Sequence, residues 1–252
     1  MTRALVVVVL LFAFGGLRLP IESALTEQYH RAHFEQANLN LSLREHIGQM
    51  SFVAALSGFR SLVADFIYIQ ANAAWERTEW HRLLLLFRQA TTLQPRSLLF
   101  WEMAAWHMAW NASVAALHDS NLPNDGLRRK TQREYLALGR QFLESGIRNN
   151  PESPQLYESL GRLYREKYQD HAAAARCFAQ AASLPSAPEY ERRFAAYELS
   201  FVPEREREAY RILRALYDRG PQERLPTLVK RLKFLEEKLD IPLQERIPDR
   251  EM

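Results

Sequence analysis

The side chains able to do chemistry in this sequence are a few histidines, one cysteine and a set of tryptophans and paired charges, and their spacing decides between catalysis and recognition. His30 and His33 stand one helical turn apart, with Glu27 on the same face. Those are donors of the kind zinc takes, but no fourth ligand accompanies them, so no resident metal is expected. His107 lies among tryptophans, the setting of a packed or hydrogen-bonded ring, and His118-Asp119 is too common a pair to carry meaning. The sequence has no glycine-rich phosphate loop, no Gly-x-Ser-x-Gly elbow and no Cys-x-x-Cys. Cys177 is the single cysteine, so no internal disulfide forms. The expectation is that the chain is not an enzyme, with no cofactor and no small-molecule substrate.

What remains is recognition by contact. Trp106 and Trp110 are one helical turn apart, and Arg162 and Arg165 share another helical segment with Glu158 and Glu166. Trp and Arg are the residues that most often dominate binding energy, because each buries a large area while keeping a polar handle. Each set also has a plainer use. The tryptophans can pack beneath neighbouring helices, and the arginines can pair with glutamates along a solvated helix face. Nucleic acid is not expected: 33 basic residues against 30 acidic leave a net charge of +3 that is spread along the chain. From Glu189 onward the two signs alternate, the mark of an ion-paired helix surface and not of a clustered basic stripe.

The elements that must hold these residues are helices. Glycine is scarce, and no run alternates apolar and polar residues for long enough to make a strand. Between Pro154 and Pro185, Tyr157, Leu160, Gly161 and Tyr164 fall on a first helix, with Ala174, Phe178 and Ala181 on a second. Small residues at such positions let paired helices approach, and proline stops the second helix. This unit resembles a tetratricopeptide repeat. The second helix fits only when it begins one residue late, as an additional residue in the turn would allow. An earlier unit over 64–95 carries Ala71, Leu83, Phe87 and Ala90 and ends at Pro95. Further units are expected at 98–151, with an insertion at 111–133, and at 188–219, followed by a cap helix at 225–239.

A second likeness covers the middle of the chain. Ser57-Gly58-Phe59-Arg60-Ser61-Leu62-Val63-Ala64-Asp65, together with Phe100-Trp101-Glu102-Met103-Ala104-Ala105-Trp106-His107-Met108-Ala109-Trp110-Asn111, resembles bacterial membrane-anchored tetratricopeptide-like proteins. These resemblances imply an all-α, right-handed superhelix of antiparallel helix pairs, a solenoid with a concave groove, and other proteins or peptide segments as partners. In that family five positions of each inner helix line the groove. Carried onto this chain they select Asp65, Tyr68, Asn72, Trp75 and Glu76, then Leu99, Glu102, Trp106, Ala109 and Trp110, then Gln155, Glu158, Arg162, Arg165 and Glu166. Tyr68, Asn72, Trp75, Glu102, Trp106, Trp110, Glu158, Arg162 and Arg165 are the expected partner-binding set. The alternatives are a permanent structural subunit of an envelope complex, or an enzyme that the repeats merely support.

The remaining segments concern placement. Ala4 to Leu17 is uncharged, and extension to Ile21 brings it near the roughly 20 residues that span a bilayer. Residues 1–21 are therefore read as an uncleaved anchor in preference to a signal peptide, since no clear pair of small residues follows at a cleavage spacing. A polar stalk is expected at 22–49 and the repeat domain at 50–252. The repeats would then lie outside the cytoplasm, single-pass tethered to the inner membrane. The row Phe52, Leu56, Phe59, Val63, Phe66 and Ile67 has helical spacing and is expected to be buried.

Overall fold

The computed structural model describes residues 58–248, and every described regular element is helical. The expected anchor and stalk, the Glu27–His30–His33 group and the residues Phe52 and Leu56 lie outside the described residues. Among the described residues no helix is long and apolar enough to cross a membrane. In chain order the α-helices are α1 (Arg60–Glu76), α2 (Trp80–Leu93), α3 (Leu98–Trp106), α4 (Ser113–Leu117), α5 (Asp125–Asn149), α6 (Pro154–Leu163), α7 (His171–Ala182), α8 (Tyr190–Leu199), α9 (Glu206–Tyr217) and α10 (Pro226–Lys238). Two π-helical turns, His107–Ala112 and Tyr164–Tyr168, extend α3 and α6.

The chain divides into two compact units. The described part of the first comprises residues 58–73 and 85–94, and the second comprises 74–84 and 95–248. In the first, Ala64, Ile67, Ala71, Leu86, Phe87 and Ala90 are buried, and Tyr68 meets the Phe87 ring edge-on at 6.2 Å. The buried face of α1 here is built on Ala64, Ile67 and Ala71. As a consequence Phe59 and Phe66, expected inside, are 57% and 60% exposed, with Leu62 and Ile69 beside them in a row of three- and four-residue steps. Two alanines and one isoleucine form the packed face, and the two phenylalanines are left on the other.

In the second unit, helices that follow one another pack on one another: α3, the first π turn and α4 on α5, then α5 on α6 and so on to α10, with α3 also meeting α6. Local signals fix the ends. Asn124 caps α5 by accepting from the Leu127 amide at 2.8 Å, and Asp170 caps α7 by accepting from the Ala173 amide at 2.8 Å. Pro154 and Pro226 begin their helices, where a missing amide hydrogen costs nothing.

The helices approach closely because their contacts are small. A Cβ placed on Gly139 of α5 would stand 2.6 Å from the Ala109 Cβ and 2.9 Å from the Ala105 carbonyl oxygen. One on Gly161 would stand 3.0 Å from the Phe178 ring, which with Ala174 and Ala181 is fully buried. Farther along, Leu213, Leu228, Leu232 and Leu235 centre an apolar cluster shared by α8, α9 and α10.

Two expectations are refined. The segment 111–133 is helical at both ends: the first π turn and α4 continue α3 to Leu117, and α5 already begins at Asp125. The added residues lengthen a helix pair and leave only 118–124 between helices. Between the two helices expected in 154–185 the chain makes the π turn Tyr164–Tyr168, which takes one residue more per turn without ending the helix. Gln169 follows in the left-handed conformation, φ 54°, and turns the chain into α7.

Gly139→Ala is expected to lower stability by about 1–3 kcal/mol, because backbone and methyl groups oppose the new Cβ on a helix that cannot easily retreat. Urea denaturation of the purified variant measures it.

Candidate groove on helices α3 and α6

The expected groove residues divide between the two units. Tyr68 and Asn72 belong to the first, each half-buried. The others belong to the second, where α3, α6 and their π turns hold all but Trp75, which lies near the end of α1.

Trp75 and Trp106 both pack on His107, with ring centroids 5.2 and 5.1 Å away. Asn111 donates to Nδ1 of His107 at 3.0 Å, so Nδ1 is unprotonated and Nε2 carries the hydrogen. Burial lowers the His107 pKa to about 4, so the imidazole is neutral at physiological pH. It acts as an aromatic spacer that props two indoles. Trp106 remains 43% exposed and Trp75 39%, so neither is a core residue.

Trp110 joins the two π turns. Its Nε1 donates to Glu166 at 3.2 Å, and Lys167 lies 5.4 Å from the centre of its ring. Burial works the other way, yet hydrogen bonds from Arg165 and Trp110 hold the Glu166 carboxyl below its ordinary value. A wide turn on each helix thus presents one partner of a bond between helices.

Beside this bond lies a cleft of about 410 Å³ lined by Glu102, Met103, Trp106, Trp110, Leu143 and Arg162, together with Ala105 and Ser159. Four of the expected residues, Glu102, Trp106, Trp110 and Arg162, are therefore brought to one place. Glu102, Ser159 and Arg162 also line a larger, more polar cleft of about 1220 Å³, which reaches Glu158 and Tyr190. The Glu102 carboxylate is fixed by Gln155 and by Ser159, whose hydroxyl donates at 2.7 Å. Arg162 is half exposed and only loosely engaged, its Nε 3.7 Å from Glu166.

Arg165 is placed differently. It donates to Glu166 at 2.9 Å and lies 5.7 and 5.9 Å from the centres of the Phe178 and Phe194 rings. Its guanidinium braces α6 against α7 and α8 and lines neither cleft. Met103, Ser159, Leu143 and Lys167 were not anticipated. Their roles depend on the helix crossings, and no local signal in the sequence marks them.

Glu158 accepts from the Tyr190 hydroxyl at 3.0 Å, and near it Glu191 is fully buried. Burial first, and the Glu158 carboxylate second, raise the Glu191 pKa from 4.5 to about 8. Glu191 is therefore protonated at neutral pH. Cys177, by contrast, is a thiol pushed up to about 11 by burial and is not an available thiolate. Among the described residues no group of three or more His, Cys, Asp or Glu could hold a metal.

No family model matches the chain, and no curated protein is similar to it.

The raised pKa makes a signed prediction. A carboxyl that holds its proton more tightly when folded stabilises the fold fully below pH 4.5 and loses that contribution as pH climbs through about 8. Glu191→Gln, which cannot ionise, removes up to about 1.4 kcal/mol of alkaline destabilisation per pH unit across that window. Denaturation midpoints of both proteins from pH 5 to 9 should diverge in favour of the variant.

Proposed function

We propose that the chain is a scaffold of the tetratricopeptide type, a right-handed superhelix that holds a segment of a partner protein along α3 and α6. Residues 4–21 tether it to the inner membrane, with the repeats on the periplasmic side. The observation that carries this reading is the convergence of Trp106, Trp110, Glu102 and Arg162 on one cleft. The aromatic cleft and the polar one share Glu102, Ser159 and Arg162 as lining. Two adjoining compartments, one apolar and one polar, suit an extended segment better than a compact ligand. The aromatic end supplies affinity through Trp106 and Trp110. The charged end, with Glu158 and Arg162, selects the segment by its charge. Packing of helices in chain order, with α3 also meeting α6, is what a stacked helix-pair array requires.

The exposed row Phe59, Leu62, Phe66 and Ile69 favours a second reading, a permanent subunit of an envelope complex. Under it the purified chain would aggregate or form an obligate oligomer, and light scattering after size exclusion distinguishes the two.

The groove reading predicts the outcome of copurification from native membranes after brief crosslinking. A Trp106→Ala, Trp110→Ala double variant, shown folded by circular dichroism, should lose one defined partner, with affinity weakened about thirtyfold or more, the scale of about 2 kcal/mol for an anchor residue. Retention of every partner overturns it.

A further inference from the structure

A second cleft, sharing no lining residue with the tryptophan cleft, crosses α7, α8 and α9. Its volume is about 570 Å³. The floor is made of small and aliphatic side chains: Ala179 and Ala182 of α7, Ala195 of α8, and Ile212, Ala215 and Leu216 of α9. Three arginines, Arg192, Arg211 and Arg219, stand around it, and no acidic residue contributes to the lining. None of the three takes part in an ion pair among the described residues. The one side-chain bond among them runs from Arg211 Nε to the Arg207 carbonyl at 3.4 Å.

The acid that feels one of them is Glu208, held below its ordinary value first by its hydrogen bond from Arg205 and also by the charge of Arg211, while several other charges in this half are closely paired. Arg193 bonds Glu223 at 2.7 Å, Arg205 bonds Glu208 at 2.5 Å, Arg214 bonds Asp218 at 3.1 Å and Lys238 bonds Glu206 at 2.8 Å. In a segment where acidic and basic residues occur in near balance, three cations left together around an apolar floor create one local field of positive sign. A partner that both fills the floor and brings carboxylates completes it.

We infer that this cleft is a docking surface for an acidic amphipathic helix of another protein. Three features specify that occupant. A floor made largely of methyl groups lets a helix backbone come close, as small residues do within the fold itself. The apolar floor calls for an apolar stripe on the incoming segment. Finally, the cations come from three places, Arg192 on α8, Arg211 on α9 and Arg219 in the turn that follows α9, so several carboxylates spaced along one helix can meet them together. The surface is independent of the tryptophan groove and does not rest on its role.

The test uses the full chain in neutral detergent and fluorescence anisotropy with a labelled synthetic helix bearing glutamates two turns apart beside an Ala/Leu stripe. The control is the same peptide with lysine at each glutamate. The glutamate peptide should bind at least tenfold tighter than the lysine peptide, and more weakly as salt rises. An Arg192→Gln, Arg211→Gln, Arg219→Gln variant should abolish the difference. Ala215→Glu in the floor should do the same, which keeps the inference testable if the triple variant fails to fold. Equal binding of the two peptides, or a preference that survives both variants, overturns it. Displacement of the peptide by short-chain phosphatidylserine at comparable concentration assigns the surface to lipid and also overturns it. So does self-association of the chain that the triple variant relieves.

Discussion

The contact on which the groove depends is the near-collision of α5 with the first π turn. Gly139 faces Ala109 and the Ala105 carbonyl so closely that a single methyl group would not fit. At that distance the π turn His107–Ala112 lies against α5, with Met108, Ala109 and Ala112 buried. Trp106, just before this turn, and Trp110, within it, both line the cleft. A bulkier residue at 139 would move both indoles, although it touches neither. The binding wall is thus placed by the smallest side chain opposite it.

The π turns follow from the same economy of space. Each admits one residue more than an α turn and shifts the facing of every side chain that follows. In the first, the shift accompanies a buried neutral His107 between two tryptophans. In the second, it carries Glu166 to Trp110 and Lys167 to the face of the same indole. Such turns recur at functional sites because they aim side chains that regular helix geometry would point elsewhere. Here two of them meet across one hydrogen bond.

Charge is distributed with a similar logic. Glu102, Glu166 and Glu198 are held by named donors: Glu102 by Gln155 and Ser159, Glu166 by Arg165 and Trp110, and Glu198 by His171 at 2.7 Å. Their positions are therefore set before any partner arrives. Glu191 is the exception, a carboxyl that stays protonated because burial and a neighbouring carboxylate penalise its charge. Arg192, Arg211 and Arg219 are the converse case, cations around a cleft that no acid lines. Fixed acids, a neutralised acid and these cations occupy different places, and each asks for a different kind of contact.

Much of this could be read from the residues alone. Helix periodicity and the prolines at 95, 154 and 185 pointed to helices and their ends, since backbone geometry and the amide hydrogen are local matters. Small residues at 161, 174 and 181 pointed to close contacts, and the late start of the second helix in 154–185 pointed to one residue more in the turn before it. Tertiary structure decided the rest. It determined that 164–168 forms a π turn, that Phe59 and Phe66 lie outside while Ala64 and Ile67 lie inside, and that Arg165 braces three helices while Arg162 faces the cleft. It also brought Ser159 and Leu143 into the wall. Spacing along a helix says which residues share a face. Which face is covered depends on the crossing of helices distant in sequence, a property of their combined surfaces that no single segment contains.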